Sequence, residues 1–243
     1  DVVIRIFSPS PNEKVLICYK HAMAIIELQG VHKNYDAFGA LADINLTLAA
    51  GEMAFVMGHS GAGKSTLLKL IALIEKPSSG VMRVNGFDAT QLHTTDLPAY
   101  RQQVGFIFQN YQLLQDRNVF DNVALPLIIR HIKHKEIIKR VQAALDIVGL
   151  AGQEKKFPLQ LSGGEQQRVA IARAIITKPP LILADEPTGN LDADLSVEII
   201  NLFIRLNSVG IAILMASHNE PLAHSTHRRI IRLEHGKILA NND

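Results

Sequence analysis

Residues 58 to 66 read GHSGAGKST and combine three glycines, one lysine and three hydroxyls in nine positions. Gly58, Gly61 and Gly63 let backbone N–H groups wrap phosphate oxygens. Lys64 reaches the β- and γ-phosphates, and Ser65 offers its hydroxyl to Mg²⁺. His59, Ser60, Ala62 and Thr66 complete the loop. It lies between the apolar run MAFVM and the helical pattern KSTLLKLIALIE, the strand–loop–helix context that phosphate binding requires. A glycine-rich turn before an ordinary helix does not need this full spacing.

The stretch LILADE, residues 181 to 186, is an apolar strand ending in two carboxylates. In parallel α/β sheets ligands gather at the C-terminal ends of strands. There Asp185 can hold Mg²⁺, often through water, and Glu186 can take a proton from an attacking water. Such bases typically contribute about 10²–10⁴-fold. Alone, the two could be a surface acidic pair. Gln109 ends the apolar run VGFIF and His218 ends AILMAS. Gln109 could hold Mg²⁺ or water, and His218 could touch a γ-phosphate; each could also be a plain solvated residue. Tyr35 ends an alternating run and could stack on adenine, or serve as an ordinary strand tyrosine.

LSGGEQQRVAIARA, residues 161 to 174, presents a different anion site. Ser162 followed by Glu165 predicts a capping box. Gly163 and Gly164 in the first turn are poor helix formers, so their presence implies close approach of another group. A helix N-terminus favours an anion. Yet the stretch has no lysine of its own to hold a phosphate.

Around these residues, AIIELQGVHKNY and INLTLAA alternate as strands, with Ile44, Leu46 and Leu48 on one face. The helix after the loop is expected to carry Leu67, Ile71 and Ile74 on one stripe and to stop at Pro77. VMRVNGFDAT and RRIIRLEHGKILA read as hairpins. From about Leu113 to Gly149 the pattern is helical, with Pro126 interrupting it. The helix begun at Ser162 is expected to run to Lys178, and another spans SVEIINLFIRLN. In HIKHKEIIKR the histidines lack metal-ligand spacing, so a solvated helix face is expected there.

The bulk properties fit. In 243 residues, 47% hydrophobic and 20% charged, a sizeable core is possible and disorder is not expected. A formal charge of +2 is too balanced to predict a nucleic-acid partner. Cys18 alone allows no internal disulfide, which fits a reducing compartment. No apolar run approaches the roughly 20 residues of a membrane helix. Residues 1–22 read as an upstream extension, with the working domain starting at Met23.

Taken together, in order and spacing, the phosphate loop, Gln109, LSGGEQ, Asp185-Glu186, Asn190-Leu191-Asp192 and His218 resemble the ATP-binding-cassette (ABC) ATPases from about Ile25 to Leu239. The resemblance implies an α/β nucleotide-binding domain over residues 23–243. Its parts would be a RecA-like phosphate-loop core, an antiparallel β subdomain and a helical subdomain inserted at about 111–160. It implies ATP and Mg²⁺ as cofactors, with Ser65, Gln109 and Asp185 at the metal. It implies a head-to-tail homodimer in which Ser162, Gly163, Gly164 and Glu165 of one copy cover ATP on the other's Lys64, with Asp192 at the seam. That arrangement explains an anion site without a lysine. The segments DRNVFDNVALPLII, FPLQLSGGEQQRVAIARA and LADEPTGNLD are most similar to bacterial cell-division members of the family. They are less similar to ATPases of lipoprotein release and macrolide export. An integral membrane partner and a place on the cytoplasmic face of the inner membrane are implied. A short coupling helix of that partner would lie against Tyr111, Leu113, Leu114 and Phe120, unless these residues pack the subdomain's own core.

Overall fold

Residues 24–35 and 38–239 are described here by a computed structural model. The proposed extension, residues 1–22, lies outside the described residues, as does Met23.

Two sheets share the work. Strands β1 (Ala24–Tyr35), β2 (Phe38–Ala49), β4 (Ser79–Val84) and β5 (Phe87–Asp88) form an antiparallel sheet in the order β2-β1-β4-β5. The second sheet has β3 (Met53–Met57), β6 (Val104–Ile107), β7 (Leu181–Asp185), β8 (Ala212–Ser217), β9 (Arg229–Glu234) and β10 (Lys237–Ile238), ordered β10-β9-β3-β8-β7-β6. Its strands pair in parallel from β9 across to β6, and β10 closes an antiparallel hairpin with β9. Both expected hairpins are present, β4–β5 and β9–β10.

The parallel sheet divides the core. Met53, Phe55 and Met57 of β3 face one apolar cluster, while Ala54 and Val56 face the other. This is why β3, β7 and β8 read as unbroken apolar runs: both faces are covered. Ile44, Leu46 and Leu48 lie buried on one face of β2, as their alternation predicts. Helix α1 (Lys64–Ile71) packs between the sheets through Leu67, Leu68, Leu70 and Ile71. Helix α2 (Leu97–Arg101) is a short addition beside β6 that periodicity did not reveal.

On the other face, α3 (Val119–Ile129), α4 (His134–Ile147) and α5 (Gly163–Ile175) pack on one another. Helix α6 (Ala193–Ser208) adds Ile199, Leu202, Phe203 and Leu206 to the same cluster, and α7 (Glu220–Ser225) follows β8.

Four details differ from the sequence expectation. Helical structure begins at Val119 and not at about Leu113. Helix α1 ends at Ile71, so Ile74 leaves the apolar stripe and is exposed. The end is fixed from outside: the Tyr100 hydroxyl donates to the Ile71 carbonyl and Arg101 Nη2 to that of Leu73 at 3.0 Å. Pro126 lies inside α3 instead of interrupting it. A proline removes one ladder bond, but burial of Val119, Val123, Ala124 and Leu127 holds the helix together. Helix α5 ends at Ile175, three residues before Lys178, which adopts a φ of 53°.

Candidate active site

The strand registers set up the site. Met57 pairs with Ser217, and Asp185 with Ala216, so β3, β7 and β8 finish level with one another. The residues just beyond them are Gly58, Glu186 and His218, and Gln109 follows β6 by two positions. Four segments that are remote in the chain therefore meet at one sheet edge.

The loop after β3 is shaped by glycine where nothing else fits. A Cβ on Gly58 would lie 2.2 Å from the Leu233 carbonyl oxygen. Gly63 has a φ of 105° and would press within 2.9 Å of the Ala40 carbonyl oxygen. Helix α1 then begins with no side-chain cap and no acidic residue in its first turn. Its leading N–H groups suit an anion. Lys64 is buried and donates to the carbonyls of Gly58 at 2.7 Å and His59 at 3.1 Å.

Glu186 is the hub. Lys64 Nζ lies 3.5 Å from its Oε1, and Gln109 Nε2 donates to its Oε2 at 3.3 Å. His218 Nδ1 lies 3.1 Å from the same Oε2. Glu186 has a φ of 47°, in the left-handed region that costs a non-glycine residue about 1–3 kcal/mol. Its N–H is held by the Ala216 carbonyl at 3.0 Å, which tethers β7 to β8 there. A cleft of about 230 Å³, lined by Glu186, Gly189, Ser217 and His218, opens beside the carboxylate and has room for water. A carboxylate so placed can orient a water and take its proton.

Ser65 Oγ donates to Asp185 Oδ1 at 2.8 Å. Burial pushes the Asp185 carboxyl above its ordinary value; the Ser65 bond opposes that, and the charge of Glu186 reinforces it. A hydroxyl and a carboxylate in contact form an oxygen donor set suited to a hard divalent cation.

Tyr35 is partly exposed at the end of β1, with its hydroxyl on Glu75. The exposed ring of His59 lies 5.2 Å from that of His235, in the β9–β10 turn.

At α5 both halves of the predicted capping box form. Glu165 N donates to Ser162 Oγ at 3.2 Å, and Ser162 N to Glu165 Oε2 at 2.8 Å. The Ser162 backbone bond holds the Glu165 carboxyl below its usual value. Gly163 is exposed and Gly164 buried. A Cβ on Gly164 would come within 3.1 Å of Leu195 Cδ1, so this glycine also serves packing of α5 on α6. Asp192 caps α6, accepting from Leu195 N at 2.9 Å.

Two linking residues escaped the sequence reading. Arg173 of α5 donates to the carbonyls of Gln112 and Tyr111, both at 2.7 Å. Asn122 is fully buried and binds the backbone of Leu114, Arg117 and Asn118. They fasten the segment after Gln109 to α5 and α3. Only the positive φ values of Tyr111 and Gln112 mark the place, and sequence does not display those.

The four residues expected to receive a coupling helix do not form one surface. Leu113 is in the core, Tyr111 and Phe120 pack against it, and Leu114 is exposed. An apolar groove of about 550 Å³ lies elsewhere, between α2, β6 and the end of α3, lined by Leu97, Pro98, Phe106, Pro126, Ile129 and Arg130 among others. His131 and His134 are exposed, and no group of three or more potential metal ligands occurs among the described residues.

Comparison with known proteins agrees with this geometry. The family model described as ABC transporter matches residues 41–189. The chain is 53% identical over 199 residues to the cell division ATP-binding protein FtsE of Escherichia coli (strain K12), covering 82% of this chain and 90% of that protein. It is 42% identical over 218 residues to FtsE of Streptococcus pneumoniae serotype 2 (strain D39), covering 89% and 95%. Among solved structures, the dimeric post-hydrolysis state of the ATP-binding cassette MJ0796 bound to ADP and Pi superposes with a TM-score of 0.82 at 35% identity, covering 88% of this chain and 97% of that one. The chain belongs to the ABC transporter ATPase family, and its fold is that family's nucleotide-binding domain.

Proposed function

We propose that the chain is an ATP-hydrolysing subunit of a membrane complex acting in bacterial cell division. The observation that carries the ATPase reading is the convergence of Lys64, Gln109 and His218 on the Glu186 carboxylate beside the phosphate loop. The ATPase domain spans residues 23–243, with its helical subdomain at about 111–160.

In this reading ATP stacks its base on Tyr35 and lays its phosphates along residues 58–66. Lys64 releases the Gly58 and His59 carbonyls and turns to the β- and γ-phosphates. Mg²⁺ held by Ser65, Asp185 and Gln109 would neutralise developing phosphate charge when bound. Glu186 orients the attacking water and takes its proton, and His218 leaves the carboxylate to contact the γ-phosphate.

The nucleotide is covered by a second copy. Ser162, Gly163, Gly164 and Glu165 at the start of α5 meet the γ-phosphate held by the partner's loop, with Asp192 at the seam. The solved relative's dimeric state with ADP and Pi supports this arrangement. ATP closes the dimer and hydrolysis opens it.

The FtsE names of relatives from distant bacteria support the division role. The partner is then an integral membrane protein of the FtsX type, through which ATP-driven closure regulates cell-wall hydrolysis at the division site. The subunit acts at the cytoplasmic face of the inner membrane, and no helix among the described residues is long and apolar enough to cross it. The 550 Å³ groove is the surface for a short coupling helix. The test is purification of a tagged Glu186→Gln chain from its own membranes in ATP, with mass spectrometry of what accompanies it. An FtsX-type protein is expected; lipoprotein-release or macrolide-export components instead would overturn the division role and leave the ATPase reading intact.

A further inference from the structure

Tyr35 is held from two sides. Its hydroxyl donates to Glu75 Oε2. Lys33 Nζ stands 4.7 Å from the ring centroid, over one face. Lys33 is in turn 3.4 Å from Glu75 Oε2 and donates to the Lys76 carbonyl at 3.0 Å. Glu75 follows α1, the helix that opens with Lys64, Ser65 and Thr66. The ring is thus tied to the segment that follows the helix presenting the phosphate lysine.

Ion pairs near a surface contribute little to stability, so the fold gains little from this arrangement. Its geometric effect is specific. A cation under one face and a fixed hydroxyl set the plane of a tyrosine at the end of a hairpin strand, leaving the opposite face for a flat ligand.

We propose that Glu75, together with Lys33, is a positioning residue that orients Tyr35 for the adenine base and fixes its distance from the phosphate loop. The proposal rests on the reading of Tyr35 as the base-stacking residue. A ring already immobilised loses less freedom when the base arrives. The clamp therefore acts on the base and not on the phosphates.

The test is calorimetric titration of the full chain with Mg·ATP and, separately, with inorganic tripolyphosphate. Glu75→Ala and Tyr35→Phe are each expected to weaken ATP by a comparable factor, about three- to ten-fold, with tripolyphosphate unchanged. Combining them should cost less than the product of the two single losses, because the bond between the Tyr35 hydroxyl and Glu75 is common to both. Glu75→Gln keeps an acceptor for the hydroxyl and should recover part of the loss. Tyr35→Phe preserves the ring and guards against a folding defect in the Glu75 variants. If Tyr35→Ala itself leaves ATP affinity unchanged, the stacking reading fails. If Tyr35→Ala weakens ATP but Glu75→Ala and Tyr35→Phe do not, stacking survives and the clamp is overturned. Equal weakening of tripolyphosphate by Glu75→Ala would also overturn it, since the damage would then lie in α1.

Discussion

Two helix N-termini in this molecule are suited to anions, and they are finished in opposite ways. Helix α1 starts without a cap or an acid, and a buried lysine waits on its own loop carbonyls. Helix α5 starts with a closed capping box, and Glu165 places a carboxylate where an anion would come. The first can draw phosphates by itself. The second has spent one donor on Ser162, carries negative charge and keeps the N–H groups of its glycines and the Ser162 hydroxyl for a ligand. It can close a site that another loop has filled, and it is too weak to fill one.

This contrast can be broken or sharpened by substitution. The largest effect is expected at the hub: Glu186→Gln should bind ATP and lose about 10²–10⁴-fold in turnover, read by phosphate release. Normal turnover would remove Glu186 as the base. Next, Lys64→Ala should weaken ATP by about 10- to 100-fold, the worth of one or two charge-assisted bonds, in direct titration. Unchanged affinity would mean that α1 does not hold the phosphates. The same titration on Ser162→Arg should stay within about twofold, which is the sharpest statement of the difference between the two helices.

The smallest effect concerns stability. The folded chain holds the Asp185 proton to higher pH than the unfolded chain does, because the carboxyl is buried. Its contribution favours folding at low pH and is lost as pH rises through the raised value. Asp185→Asn should therefore melt higher than the parent at neutral pH without nucleotide. That gain should disappear as pH falls through the Asp185 value, and Mg²⁺-dependent ATP binding should be lost. A variant less stable at neutral pH would contradict the assignment.

Much of this was legible in the residues. Unbroken apolar runs over residues 53–57, 181–184 and 212–216 announce strands covered on both faces, and the residues just beyond them, Gly58, Asp185-Glu186 and Ser217-His218, land at the site. Ser162 and Glu165 announce their cap. What stayed hidden depends on tertiary contact. The end of α1 is set by Tyr100 and Arg101 from another segment. Pro126 continues a helix because its neighbours are buried. For Leu113 the residues leave a groove and the subdomain's own core both open, and the packing decides for the core. Gly164 serves Leu195 as well as any partner, a role that spacing along the chain does not reveal.

The central claim is that ATP bound on one copy's α1 is covered by the other copy's α5. It is tested most directly by sedimentation velocity with bound nucleotide measured on the same samples, comparing Glu186→Gln with Glu186→Gln/Ser162→Arg. The account predicts an ATP-dependent dimer for the first, and a monomer that still binds ATP for the second. A Ser162→Arg monomer that has lost ATP, or a Glu186→Gln chain that binds ATP and stays monomeric, would contradict it.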